Sequence, residues 1–115
     1  MGDGEKYTDL KKQIKLLDLK DKVKLIGHSN RVYEYIKGSL CVIVSSLWED
    51  PGFVIIEAAL CNSMIISSNC KNGPTEFLLN GSAGLLFENN RKDELFKKLI
   101  EFKTLEKKKF FKKKF

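Results

Sequence analysis

The chain has one histidine, one tryptophan, two prolines and three cysteines in 115 residues. Cys41, Cys61 and Cys70 are odd in number and do not fall at metal-ligand spacings, so they read as reduced thiols in or near a core. No metal site is expected from them, and reduced thiols point to the cytoplasm. His28, the lone histidine, would need a carboxylate partner to serve as a general base, and spacing suggests none. No apolar run approaches the roughly 20 residues of a membrane-spanning helix. The start, Met1-Gly-Asp-Gly-Glu-Lys6, lacks the apolar stretch of a secretion signal.

What is present is apolar enough to fold: 43% hydrophobic residues and eight Phe, in a length that supports one small domain. The net charge of +6 is unevenly placed. Residues 91–115 hold eleven Lys/Arg against four Asp/Glu, a balance of +7, which leaves −1 for the first ninety. A nucleic-acid protein more often spreads its basic residues over a face, so no nucleic acid is expected as partner. The tail does interleave lysines with Phe110, Phe111 and Phe115, a pattern compatible with an anionic membrane surface and, more commonly, with a solvated helix end.

Apolar spacing predicts an α/β chain in which short strands alternate with helices around a parallel sheet. A helix is expected over residues 5–17, a strand at Val23–Ile26, a helix from Asn30 to Gly38, and a strand at Leu40–Val44 covered on both faces. There follow a loop to Pro51, a helix from Gly52 to Cys61, a strand at Met64–Ser67, and a short helix at Thr75–Leu79. Gly84–Phe87 is a last strand and Arg91 opens the final helix. The division is a domain over residues 1–102 and a basic Lys/Phe tail over 103–115. Gly2-Asp-Gly4 looks like a turn that ends a strand, yet only Met1 precedes it, so the chain is expected to be the latter part of a longer protein.

The segment Ser46-Leu-Trp-Glu49-Asp-Pro-Gly52-Phe-Val-Ile-Ile-Glu57-Ala58 carries the chemistry. It follows a parallel strand and enters a helix, and ligands of open α/β sheets bind at that edge. The helix start offers N–H groups and the positive end of a dipole to a phosphate or diphosphate. Gly52 lets a ligand approach the backbone. Glu57 interrupts an apolar run, where an unbound carboxylate is costly, and could accept hydrogen bonds from a ribose diol. Glu49 could reach hydroxyls beyond the phosphates. Trp48 is expected as a core anchor more than a sugar platform. Glu76 divides evenly between a helix-start carboxylate and a contact near the cleft.

This spacing resembles the Glu-x7-Glu motif of retaining glycosyltransferases of family 4, the group 1 glycosyltransferases. Gly2-Asp-Gly4, Val23-x-Leu-Ile-Gly27 and Asn72-Gly-Pro-x-Glu76-Phe-Leu-x-x-Gly81-x-x-Gly84 resemble further landmarks in the same order. The resemblance implies most of the C-terminal, donor-binding domain of the glycosyltransferase B fold, Rossmann-like with flanking helices. It implies transfer from a nucleotide-diphosphate sugar with retention and without a metal or other cofactor. Glu49 would be the catalytic-site contact to the sugar, and the amides around Gly52, Phe53 and Val54 would hold the diphosphate. Glu57 would bind the ribose, with Gly27 and His28 near the base. His28 also reads as a plain loop residue.

The chain departs from the family where Asp50-Pro51-Gly52 replaces the usual Gly-Phe-Gly, because Pro51 has no N–H. The family's diphosphate-neutralising Arg and Lys, and its acceptor domain, lie outside the chain. Without them the fragment is expected to be inactive by itself. The acceptor would be a glycan or lipid-linked group met through the missing N-terminal domain, in the cytoplasm or peripherally at the inner membrane face. The competing readings are a non-catalytic α/β module that binds a partner or anionic surface through its basic tail, and a two-carboxylate glycosidase.

Overall fold

A computed structural model describes residues 4–49 and 52–114, with side chains described through residue 106. Gly2 and Asp3 of the glycine turn, Asp50 and Pro51, and the side chains of Phe110, Phe111 and Phe115 lie outside the described residues. Backbone proximity divides the chain into two compact units, residues 1–32 and 33–115.

The first unit contains helix α1, Tyr7–Leu16. Its end is closed by Asp18 in the left-handed region (φ 53°), with the Leu19 N–H donating to the Ile14 carbonyl at 2.9 Å. Asp tolerates that conformation because its short side chain can bond locally. Residues 23–26 are not a strand, contrary to the sequence expectation. An extended segment becomes a strand only by pairing, and α1, the element described beside it in this unit, has its N–H and C=O groups committed along its own axis.

The second unit is built on three strands: β1 (Cys41–Val44), β2 (Met64–Ser68) and β3 (Leu85–Phe87). They run parallel in the order β1-β2-β3, with Cys41 opposite Met64 and Ile66 opposite Leu85. Helix α2 (Val32–Gly38) leads into β1, α3 (Phe53–Leu60) crosses from β1 to β2, and α4 (Pro74–Phe77) with a 3₁₀ turn at Leu79–Gly81 crosses to β3. Helix α5 runs Lys92–Lys114. Parallel strands place all their carboxyl ends, and so the loops 45–52, 69–73 and 88–91, on one edge.

Strand β2 is central, and Ile65, Ile66, Ser67 and Ser68 are all buried. Ile66 packs with Phe87 and Phe102, joined by Met64, Leu85, Leu95 and Leu99, which is how α5 is held to the sheet. Strand β1 is less covered than its apolar run predicts. Ile43 is 45% exposed and only Val44 is buried, because β1 is an outer strand of the three. Gly84 marks a close crossing, since a Cβ there would lie 2.9 Å from the Ile65 carbonyl oxygen and 3.0 Å from Leu78 Cδ2. Helix α3 ends as α1 does: Asn62 takes a left-handed φ of 55° and the Ser63 N–H donates to the Ala58 carbonyl at 3.0 Å.

Candidate functional site

After β1 the chain turns along the carboxyl edge and enters α3 through Gly52, which is buried with φ 76° and ψ 48°. A residue with a Cβ pays for that left-handed conformation and glycine does not. Its N-cap residue, Gly52, brings no side chain to cap this helix start. Glu49 folds back against it: a Cβ on Gly52 would lie 3.5 Å from Glu49 Cβ, Cγ and Oε2. Glu49 is half-buried, and Ser46 Oγ donates to its Oε1. The segment therefore sets a carboxylate beside the positive end of a helix dipole, at the edge where parallel strands end.

Glu57 lies one turn into α3, roughly 6 Å along the axis from Phe53 at 1.5 Å per residue. Its surroundings differ from the apolar burial expected from sequence. Phe53 is 63% exposed and Leu60 79% exposed, while Ile55 and Ala58 alone in α3 are fully buried. Only one stripe of an eight-residue helix faces the sheet, so an apolar run need not be an enclosed one. Glu57 is half-buried on the side of that stripe, and Tyr33 on α2 donates its phenol to Glu57 Oε1 at 3.4 Å. The Glu57 charge, then burial and this hydrogen bond, hold the Tyr33 phenol above its ordinary value of 10.

Trp48 is 65% exposed, which corrects the expectation of a core anchor. It sits between Leu47 and Glu49 on a loop. Glu76 is exposed and accepts the Gly73 N–H at 3.2 Å, so it serves the start of α4.

Gly27 and His28 belong to the first unit. Gly27 has φ 72° and His28 is exposed. Gly4, Lys6, Tyr7, Leu10, Lys24, Leu25, Ile26 and Gly27 line one open depression there. Glu49, Gly52 and Glu57 are brought onto one loop and helix of the second unit.

Four residues that sequence reasoning leaves without a role attach to this site. Tyr33 is one. Ser68 Oγ donates to the Ser46 carbonyl at 2.6 Å, and Asn89 Nδ2 to the Leu47 carbonyl at 2.8 Å. Asn69 Oδ1 accepts the Asn89 N–H at 2.8 Å. The only sequence signal for Ser68, Asn69 and Asn89 is their place, a polar residue just where an apolar strand ends, and Tyr33, inside α2, has none. Among the described residues no three His, Cys, Asp or Glu side chains gather as metal ligands would, and no helix is long and apolar enough to cross a membrane.

The family profile described as "Glycosyl transferases group 1" matches residues 1–113. Among curated proteins, the chain is 40% identical over 78 residues to an uncharacterized glycosyltransferase of Methanocaldococcus jannaschii, covering 68% of this chain and 19% of that protein. It is 33% identical over 101 residues to the UDP-Gal:alpha-D-GlcNAc-diphosphoundecaprenol alpha-1,3-galactosyltransferase of Escherichia coli, covering 87% of the chain and 26% of the relative. It is 29% identical over 99 residues to the N-acetylgalactosamine-N,N'-diacetylbacillosaminyl-diphospho-undecaprenol 4-alpha-N-acetylgalactosaminyltransferase of Campylobacter jejuni, covering 86% and 27%. The chain thus spans between 19% and 27% of these relatives' lengths.

Proposed function

The chain belongs to the group 1 glycosyltransferases, and from that premise we propose that it forms the donor-binding part of a retaining transferase that uses a nucleotide-diphosphate sugar. The observation that carries this reading is the Glu49 carboxylate folded against Gly52 at the glycine-led start of α3. Backbone N–H groups at Gly52, Phe53 and Val54 take the diphosphate, where the helix dipole favours negative charge. Glu49 keeps acceptor capacity beyond its bond to Ser46 and takes hydroxyls of the sugar near the reacting carbon. Glu57, its Oε1 already shared with Tyr33, accepts from the ribose. A contact of Gly27 and His28 with the base rests on the family resemblance alone.

In the reaction the anomeric carbon exchanges its diphosphate oxygen for an acceptor hydroxyl, with configuration retained. No metal is invoked. The acceptor is a lipid-linked glycan, by analogy with the diphospho-undecaprenol substrates in the names of two relatives. A lipid-linked acceptor of that kind supports a site of work at the cytoplasmic face of a membrane. The family resemblance assigns acceptor binding and the cations that neutralise the leaving diphosphate to other segments, so on this reading these residues alone bind donor without transferring sugar.

Calorimetric titration with UDP- and GDP-sugars tests the reading. Weak binding that falls on Glu57→Ala is expected, together with a preference for sugar nucleotide over nucleoside diphosphate that falls on Glu49→Gln. Absence of any binding at millimolar ligand contradicts donor binding. Sugar transfer by the 115 residues alone contradicts the division of labour.

A further inference from the structure

The Glu49 loop is held by side chains from two other strands. Ser68, the last residue of β2, donates to the Ser46 carbonyl, and Asn89, two residues past β3, donates to the Leu47 carbonyl. Two consecutive peptide units are thus pinned from positions 22 and 42 residues away. Ser46 passes the constraint on, because its hydroxyl holds Glu49 Oε1. Asn89 is itself fixed from below. Its N–H donates to Asn69 Oδ1, and the Asn69 N–H donates to the Phe87 carbonyl at 2.9 Å, continuing the β2–β3 ladder past its last pair.

The amide of Asn89 has one workable orientation. Nδ2 faces the Leu47 carbonyl, and Oδ1 is buried with no donor among the described residues. Reversing the amide would press Oδ1 against the Leu47 oxygen, acceptor against acceptor.

We infer that Asn89 is a positioning residue: by fixing the Leu47 peptide it sets, through Ser46, the direction of the Glu49 carboxylate at the sugar end of the donor site. The inference rests on the role proposed for Glu49. Ser68 holds the adjoining peptide, so Asn89 and Ser68 together make a two-point clamp on a loop whose tip, Trp48, is exposed.

Trp48 is the single tryptophan and lies between the pinned Leu47 and Glu49, so its fluorescence reports the loop without any ligand. In the full chain, Asn89→Ala and Asn89→Asp are expected to increase acrylamide quenching of Trp48 and lower its anisotropy, with unchanged far-UV circular dichroism. Both variants are expected to lower the preference for UDP-sugar over UDP by roughly five- to tenfold, the scale of one lost hydrogen bond, while affinity for UDP itself stays. Ser82→Ala, whose hydroxyl bonds the Leu79 carbonyl away from the loop, should change neither readout.

Trp48 quenching unchanged in a folded Asn89→Ala protein overturns the inference. So does a sugar preference that Glu49→Gln abolishes and Asn89→Ala leaves intact, in which case the functional reading stands. A wild-type chain with equal affinity for UDP-sugar and UDP instead removes the role of Glu49, while Trp48 quenching still decides whether Asn89 holds the loop. If both variants fail to fold, hydrogen exchange of the Asn89 side-chain amide in the wild type decides. Slow exchange supports the pin, and exchange as fast as that of an exposed asparagine overturns it.

Discussion

The phenol of Tyr33 donates to Glu57 Oε1 at 3.4 Å, joining α2 to α3 across 24 residues of chain. The partners need each other unequally. A carboxylate can take other donors, whereas ionising a phenol against that carboxylate is disfavoured, which is why the Tyr33 proton is held more tightly than usual.

The consequence is visible in an alkaline titration. Because the folded-state value is raised above 10, whatever stability Tyr33 draws from this contact is complete below pH 10 and lost as pH rises past its folded value. Ultraviolet difference titration should show a tyrosine step, that of Tyr33, displaced above the ordinary value of 10. That step should disappear in Tyr33→Phe and move down toward 10 in Glu57→Gln. If Glu57→Gln leaves it in place, the carboxylate is not its cause.

Gly52→Ala separates conformational strain from crowding. The new Cβ would meet Glu49 atoms at 3.5 Å, an ordinary contact, so the cost comes from φ 76°. A destabilisation of about 1–2 kcal/mol is expected from forcing alanine left-handed, measured by urea unfolding. Donor affinity should fall further than stability, since the methyl also stands between a ligand and the start of α3.

Gly84→Ala tests the opposite case, in which space and not φ is limiting. The methyl would sit 2.9 Å from a backbone oxygen of the central strand and 3.0 Å from Leu78, which is itself buried. Overpacking of this kind costs about 1–3 kcal/mol. Urea unfolding of Gly84→Ala should show a lower midpoint with unchanged slope, and an unchanged midpoint would mean that β2 and β3 can separate freely.

Arg91 and Asp93 form a two-point pair at the start of α5, with Nε to Oδ1 at 3.0 Å and Nη2 to Oδ2 at 2.8 Å. The guanidinium holds the Asp93 carboxyl well below the ordinary carboxylate value of 3.8. A lowered value gives stability that is present above the unfolded pKa and lost as pH falls through the folded one. Thermal unfolding of Asp93→Asn should therefore lie below wild type at neutral pH, with the gap closing as pH is taken below about 4. The pair is solvent-exposed, so the gap should be small and shrink in salt.

Much of this protein is readable along the chain because much of it is local. Leu10, Ile14 and Leu17 recur at helical spacing, and a helix stands at Tyr7–Leu16. Met64-Ile-Ile-Ser lies in the central strand, and the loop to Gly52 followed by an apolar helix appears where the spacing puts it. The misreadings concern partners and cover. Val23–Ile26 has a strand's composition but no ladder, Ile43 has a core residue's character but an outer strand's exposure, and Trp48 has an anchor's size but sits on an open loop. Composition states what a residue would gain from burial, and only packing states whether anything covers it.

By itself the sequence determined the spacing of Glu49, Gly52 and Glu57, and with it the family, because a strand end, a glycine entry and a helix start are properties of contiguous backbone. The tertiary structure alone decided what holds that segment still. Tyr33 reaches Glu57 from α2 across 24 residues of chain, and Ser68 and Asn89 reach their partners from 22 and 42 residues away, through hydrogen bonds that exist only once three parallel strands have set their carboxyl ends on one edge. Such bonds depend on the register of the sheet, and no local pattern of residue types encodes it.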